Sequence, residues 1–194
     1  MYRQQITTSE IEHDQLVLRG DAAHHLLHVL RVREGAEIGA FDGAGRTRLF
    51  HVIARDECTL TLEAKQPVFF CAAQPIKLTL FACIPKGDRM DWLLEKATEL
   101  GVSEIIPVMS ERTVVRLIGK QAEAKRSRWQ RIVEAAARQC GAAQLPTICL
   151  PTPFSETPPL MKQCSTLMVA ALIPEARPLK PVLDTLDPVR SGQN

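Results

Sequence analysis

The sequence predicts an α/β chain in two parts, a small β-barrel followed by a domain built on a mainly parallel sheet, and three observations predict it. Short alternating segments separated by turn residues fill the chain up to a proline-containing stretch at residues 66–75. An apolar strand at residues 76–84 then breaks at Pro85 into an amphipathic helix and returns to a second apolar strand at 104–109. A longer helical pattern at 121–139 follows, so strand and helix alternate through the second part.

The barrel strands are expected near residues 16–18, 36–41, 47–53 and 58–62, punctuated by Asp42-Gly43-Ala44-Gly45 and Arg55-Asp56. One helix interrupts them from Asp21 to about Arg31, with Ala22, Leu26, Val29 and Leu30 on one side and His24, His25, His28 and Arg31 around the rest. Three histidines so close together raise a metal site, but no acidic or cysteine ligand stands nearby at a zinc spacing, and an exposed polar helix edge is the simpler account. Residues 66–75 form the natural linker.

In the second part, residues 76–84 are apolar on both faces, which predicts a central strand whose carboxyl end faces a site. Pro85 and Gly87 end that strand and Asp88 is placed to cap a helix. Leu93, Leu94, Ala97 and Leu100 recur at helical spacing until Gly101 stops it. Ser110, Glu111 and Arg112 fall just beyond the carboxyl end of the strand at 104–109, where open α/β sheets place their ligands. The helix at 121–139 is expected to bury Trp129, Ile132, Val133 and Ala136, making Trp129 core rather than a stacking platform. Two more strands are expected at 147–150 and 166–173, joined by a proline-rich connection at 151–159, with a short helical turn at 182–186.

Composition excludes several classes. A chain of 194 residues, 45% hydrophobic and 24% charged, is an ordinary globular composition rather than a disordered one. A net charge of +2 does not by itself announce a nucleic-acid binder, so local charge has to carry that argument. From 120 to 138, Lys120, Lys125, Arg126, Arg128, Arg131 and Arg138 outnumber Glu123 and Glu134, which makes either a phosphate-contacting helix or a solvated face. The six cysteines include no Cys-x-x-Cys pair and several sit in apolar runs, so they read as reduced core residues and not as metal ligands. No apolar run approaches the roughly 18 residues of a membrane span, and the expected compartment is the cytoplasm.

Ordered words along the chain carry a resemblance. They are Lys86-Gly87-x-Arg89, Lys96-Ala97-x-Glu99-Leu100-Gly101-Val102, Pro107-x-x-Ser110-Glu111-Arg112, Arg128-Trp129, Glu134-Ala135 and Gln139-Cys140. In this order and spacing the chain resembles the bacterial small-subunit (16S) ribosomal RNA uracil-N3-methyltransferases of the knotted SPOUT superfamily. His25, Val29-Leu30-Arg31, Gly35 and Phe41-Asp42-Gly43 look like that family's PUA-like β-barrel, which binds RNA. The resemblance implies a PUA-like domain at 1–70, a linker at 71–75 and a SPOUT-type domain at 76–194. It implies S-adenosyl-L-methionine as cofactor, 16S ribosomal RNA or the 30S subunit as partner, and a homodimer when full length. Members of the family continue into a Gly-Pro-Glu-Gly-Gly loop and a Leu-Gly-x-Arg-Ile-Leu-Arg-x-Glu-Thr segment that form the knot and hold the cofactor. This sequence closes with Ser191-Gly192-Gln193-Asn194, so the expectation is a chain truncated before the knot, with no cofactor-binding residue to assign. A second departure is Ala142, at or next to which the family carries an arginine.

Methylating a uracil nitrogen is an in-line displacement by a weakly acidic imide, so a site must grip the RNA backbone, hold the flipped base and favour loss of the N3 proton. Arg112 is the first candidate, its fork suited to a phosphate or a uracil carbonyl, with a structural pair to Glu111 or Glu99 as the alternative. Glu111 is the acid placed to take a proton. Lys86 and Arg89 open the helix and are placed to clamp phosphates at its positive N-terminus, or else are solvated. Lys96 either contacts RNA or pairs with Glu99 three residues on. Gln139 either reads a base edge or caps its helix, and the resemblance puts His25 and Arg31 on the RNA side. No Gly-rich phosphate loop, Ser-His-Asp arrangement or paired-carboxylate motif stands out. Two readings result: an S-adenosylmethionine-dependent RNA methyltransferase, or a catalytically inactive RNA-binding fragment of one. Apolar faces around Cys83, Val108 and Val169 are expected to be partly uncovered.

Overall fold

The N-terminal sheet begins with a strand that has little apolar content. In a computed structural model, which describes residues 2–72, 76–111, 113, 116–170 and 173–185, β1 (Tyr2–Gln5) lies parallel to β3 (Glu37–Phe41), with Gln5 opposite Phe41. The sheet continues antiparallel through β4 (Arg46–Arg55) and β5 (Leu60–Ala64) to β2 (Gln15–Leu18), and β6 (Phe69–Phe70) adds to the start of β4. β1 and β2 are its two ends. A bulge between Val52 and Ala54 lets β4 turn from its β3 partner toward β5. Alternation drives the core: Leu16, Leu18, Ile38, Phe50, Val52, Leu60 and Leu62 point to one side and are buried there.

Two local structures here escape a pattern reading. Helix α1 (Thr8–Glu12) starts with a capping box: the Thr7 hydroxyl accepts the Glu10 amide, and Glu10 Oε2 accepts the Thr7 amide at 2.7 Å. The expected helix at 21–31 starts as α2 (Gly20–His24) but continues as a π-wound turn, His25–Val29. The wider turn lets Leu26 and Leu27 both enter the core and leaves His24, His25, His28, Val29 and Leu30 exposed. Arg31 closes it in a left-handed conformation, φ 53°.

The second sheet is parallel throughout. β7 (Thr79–Cys83), α3 (Arg89–Glu99), β8 (Glu104–Met109), α4 (Lys120–Cys140) and then β9 (Thr147–Ile148) with β10 (Thr152–Pro153) form two successive strand-helix-strand units. β8 is the central strand. β7 pairs with it on one side, while β9 and β10 share its other side as two short pieces of one interrupted strand. The helices pack on each other, and Met90, Leu94, Ala97, Trp129 and Val133 close a core with Ala82 and Ile105.

Several expectations are corrected here. The strand expected central at 76–84 is Thr79–Cys83 and, among the described residues, pairs with β8 alone. Its neighbours Ile76 and Leu78 are exposed, so the apolar run overstated its burial. Asp88 occupies the N-cap of α3 without a side-chain cap, while Leu100, placed on the helix's apolar face, is 81% exposed. Gly101 does end α3, at φ 79°, as the left-handed residue of a Schellman turn: its amide reaches Thr98 O at 3.1 Å and that of Val102 reaches Ala97 O at 3.0 Å. The expected linker holds β6, and the proline-rich connection holds β10. Residues 167–170 form no strand, and positions 171–172 lie outside the described residues. None of the six free cysteines is buried, so the expectation of core residues fails. Cys83 and Val169 are exposed as expected, whereas Val108 is buried.

Residues Met1–Thr157 make one compact unit holding both sheets, and Pro158–Asn194 make a second with helices α5 (Pro158–Met161) and α6 (Leu179–Thr185). Within the first unit the two sheets are stitched by two backbone bonds and one arginine side chain. The Gly45 amide donates to Ala143 O at 3.1 Å, the Leu145 amide to Gly43 O at 2.9 Å, and Arg3 Nη2 to Gly141 O at 2.9 Å.

Candidate functional site

The carboxyl ends of β7, β8 and β10 come out side by side. Cys83 is in register with Val108, the Ile84 amide still bonds Val108 O at 3.0 Å, and Met109 is opposite Pro153. The loop after β7 therefore presents Lys86, and the start of α3 presents Arg89, on the edge where the loop after β8 presents Glu111; all three side chains are exposed. The Asp88 carbonyl accepts the Asp91 amide at 3.1 Å as the first turn of α3 closes, so the remaining first-turn amides and their partial positive charge face this edge with Lys86 and Arg89. Ser110 is held in place: its amide donates to Thr113 Oγ1 at 2.9 Å, and the Thr113 amide donates back to Ser110 O at 3.0 Å. Arg112, the leading candidate from sequence, lies outside the described residues.

The remaining candidates separate into different surroundings. Lys96 Nζ donates to both Glu99 oxygens at 2.8 Å, which raises its pKa above the ordinary lysine value. Arg128 of the basic helix is committed to both carboxylate oxygens of Asp91, tying α4 to α3, so it is withdrawn from the phosphate-contacting stripe. Its neighbour Lys125 lies over the Trp129 ring at 5.7 Å. Trp129 itself is wholly buried, as its spacing predicted. Gln139 is exposed on the last turn of α4, and His25 and Arg31 are exposed on the N-terminal unit.

A second arrangement was not anticipated. A cleft of about 920 Å³ opens between the N-terminal sheet and α4, its walls including Gln5, Asp21, His25, Glu134 and Arg138. Glu134 and Arg138 stand one turn apart on a helix the periodicity does show, but their facing wall is β1 and α1. The signal for that wall was the Thr7-x-x-Glu10 capping box. Among the described residues no group of three or more His, Cys, Asp or Glu converges to hold a metal ion, His24 and His28 included; their rings lie 4.8 Å apart, tilted.

The edge has charge for an amino-acid ligand, but among the described residues Lys86, Arg89, Glu111 and Phe154 are all exposed and enclose no adenosyl group. No residue is therefore assigned to a cofactor.

Comparison with known proteins decides the family. A model described as an RNA methyltransferase domain matches residues 72–190, and one described as an RNA methyltransferase PUA domain matches 18–63. The chain belongs to the RNA methyltransferase family. It is 30% identical to ribosomal RNA small subunit methyltransferase E of Bacillus subtilis over 153 residues, 74% of this chain and 57% of the relative. Against the Synechocystis protein of the same name it is 29% identical over 155 residues, 80% of this chain and 49% of the relative. The chain thus spans about half the length of these curated relatives. Among solved structures it resembles the Neisseria gonorrhoeae ribosomal RNA small subunit methyltransferase E bound to S-adenosyl methionine. That match has 31% identity and a TM-score of 0.74, covering 91% of this chain and 75% of that one.

Proposed function

We propose that this chain belongs to an S-adenosylmethionine-dependent methyltransferase that modifies N3 of uracil in small-subunit (16S) ribosomal RNA. What supports the reading is that Lys86, Arg89 and Glu111 follow the carboxyl ends of two paired parallel strands, in a chain of this family. Residues 1–70 act as the RNA-binding domain, 71–75 as a linker and 76–194 as the methyltransferase part. S-adenosylmethionine, bound by the Neisseria gonorrhoeae relative, supplies the methyl group. The full-length enzyme works as a cytoplasmic homodimer of the SPOUT superfamily.

Lys86, Arg89, His25 and Arg31 hold RNA phosphates, Lys96 stays paired with Glu99, and Gln139 contacts a base edge. Arg112 orients the uracil through a carbonyl oxygen, and that same charge favours the ionised imide. Glu111 accepts the N3 proton. Calorimetric titration with S-adenosylmethionine, alongside small-subunit ribosomal RNA, tests the assignment. Binding of both supports it; binding of RNA alone makes this chain an RNA-binding unit without catalysis. Where methylation is measured, Arg112→Ala is expected to abolish it and leave the melting temperature nearly unchanged, whereas a sharply lowered melt would make Arg112 a structural pair.

A further inference from the structure

The cleft between the N-terminal sheet and α4 has a composition that suits neither a phosphate nor a metal ion. Two of its carboxylates are committed: Glu10 to the Thr7 cap and Asp42 to the amides of Ala44 and Arg46. Asp21, Glu134 and Arg138 form no ion pair among the described residues, although Glu134 and Arg138 are one turn apart on the same helix. Four carboxylates against a single guanidinium repel a phosphodiester, and no three of the acidic and histidine side chains converge on one ion. What remains is a neutral ligand rich in N–H donors. The cleft's 920 Å³ has room for a nucleoside.

We infer that this cleft receives one unpaired, amino-bearing base of the RNA, guanine fitting best, with the carboxylates of Asp21 and Glu134 as acceptors for its Watson–Crick edge. Unstacked bases in single-stranded RNA are read on that edge, and a guanine offers a carboxylate two parallel N–H donors. The backbone of the same nucleotide stays outside the cleft, away from its carboxylates. This inference rests on the proposed RNA-binding reading.

The test is fluorescence anisotropy with the 194-residue chain and two labelled RNAs, a uridine-only oligonucleotide and the same sequence with one central guanosine. The guanosine RNA is expected to bind about tenfold tighter, the size of one good base-edge contact. Asp21→Asn with Glu134→Gln is expected to erase that preference while uridine-only binding holds or strengthens, because two negative charges are gone. The Asp21→Asn single variant, on the exposed wall, guards against misfolding, and is expected to lose part of the preference with an unchanged melt. Equal affinity for the two RNAs, or a preference that survives the double variant, overturns the inference while RNA binding stands. Failure of the chain to bind either RNA overturns both.

Discussion

Gly43 holds a backbone conformation, φ 79°, that side chains rarely adopt, and a Cβ there would stand 2.7 Å from Leu145 Cδ1. Leu145 can give way, but the dihedral cannot. Gly43→Ala is therefore expected to destabilise the chain by about 1–3 kcal/mol, read as a lower denaturation midpoint with unchanged slope. Asp42 beside it accepts the amides of Ala44 at 2.8 Å and Arg46 at 3.0 Å, so the turn is specified twice over. That turn was legible as a turn, while what it docks against was not, since nothing local in Asp42-Gly43-Ala44-Gly45 points to residues 143–145. The same limit applies to the site. His25, Lys86, Arg89 and Glu111 stood out by residue type and position, whereas Glu134 and Arg138 became a wall only once β1 and α1 faced them.

Among elements, α4 has two holds on the rest of the domain. Arg128 pairs with Asp91 on α3; the two side chains are 46% and 22% exposed, so solvent screening limits the bond. Arg128→Ala is expected to cost up to about 1 kcal/mol, measured by urea denaturation, with most of the loss shared in a double-mutant cycle with Asp91→Ala. Trp129 is the larger hold, buried with its Nε1 donor unpartnered among the described residues. Trp129→Phe is expected to lower the melting temperature through the smaller ring's cavity, offset in part because an unsatisfied buried N–H disappears with it. The legible elements, α3, β8 and α4, are those whose period is long or whose neighbours are close in sequence. β1 was missed because it is polar and its partner β3 lies far along the chain, so its strand character comes from pairing alone. Residues 166–170 of the strand expected at 166–173 failed for the opposite reason, having strand composition without a ladder.

At the scale of the whole molecule, two carboxylates link folding to pH on the acid side. Glu37 is held below the ordinary glutamate value of 4.5 by its hydrogen bond from Lys65, and Asp56 below 3.8 chiefly by the Thr59 hydroxyl. Both favour the folded state when ionised. Their contribution is complete above those ordinary values and is lost as the pH falls through the lowered ones. Melting temperatures should therefore show no loss from these two groups between pH 7 and pH 5 and fall further below, and Glu37→Gln should flatten part of that acid limb. The Lys96–Glu99 pair acts at the other extreme, its contribution present up to the ordinary lysine value of 10.5 and lost above it.

The backbone stitch also sets an order of events during synthesis. Residues 43–45 leave the ribosome about a hundred residues ahead of 143–145, so β3, β4 and β5 are complete while their turn still lacks its partners. The nascent sheet presents Gly43 O and the Gly45 amide to solvent until α4 has wound and Gly141 has stopped it. A pause in translation before residue 145 would leave these groups of the turn unpaired, open to chaperones and to any other strand that reached them first.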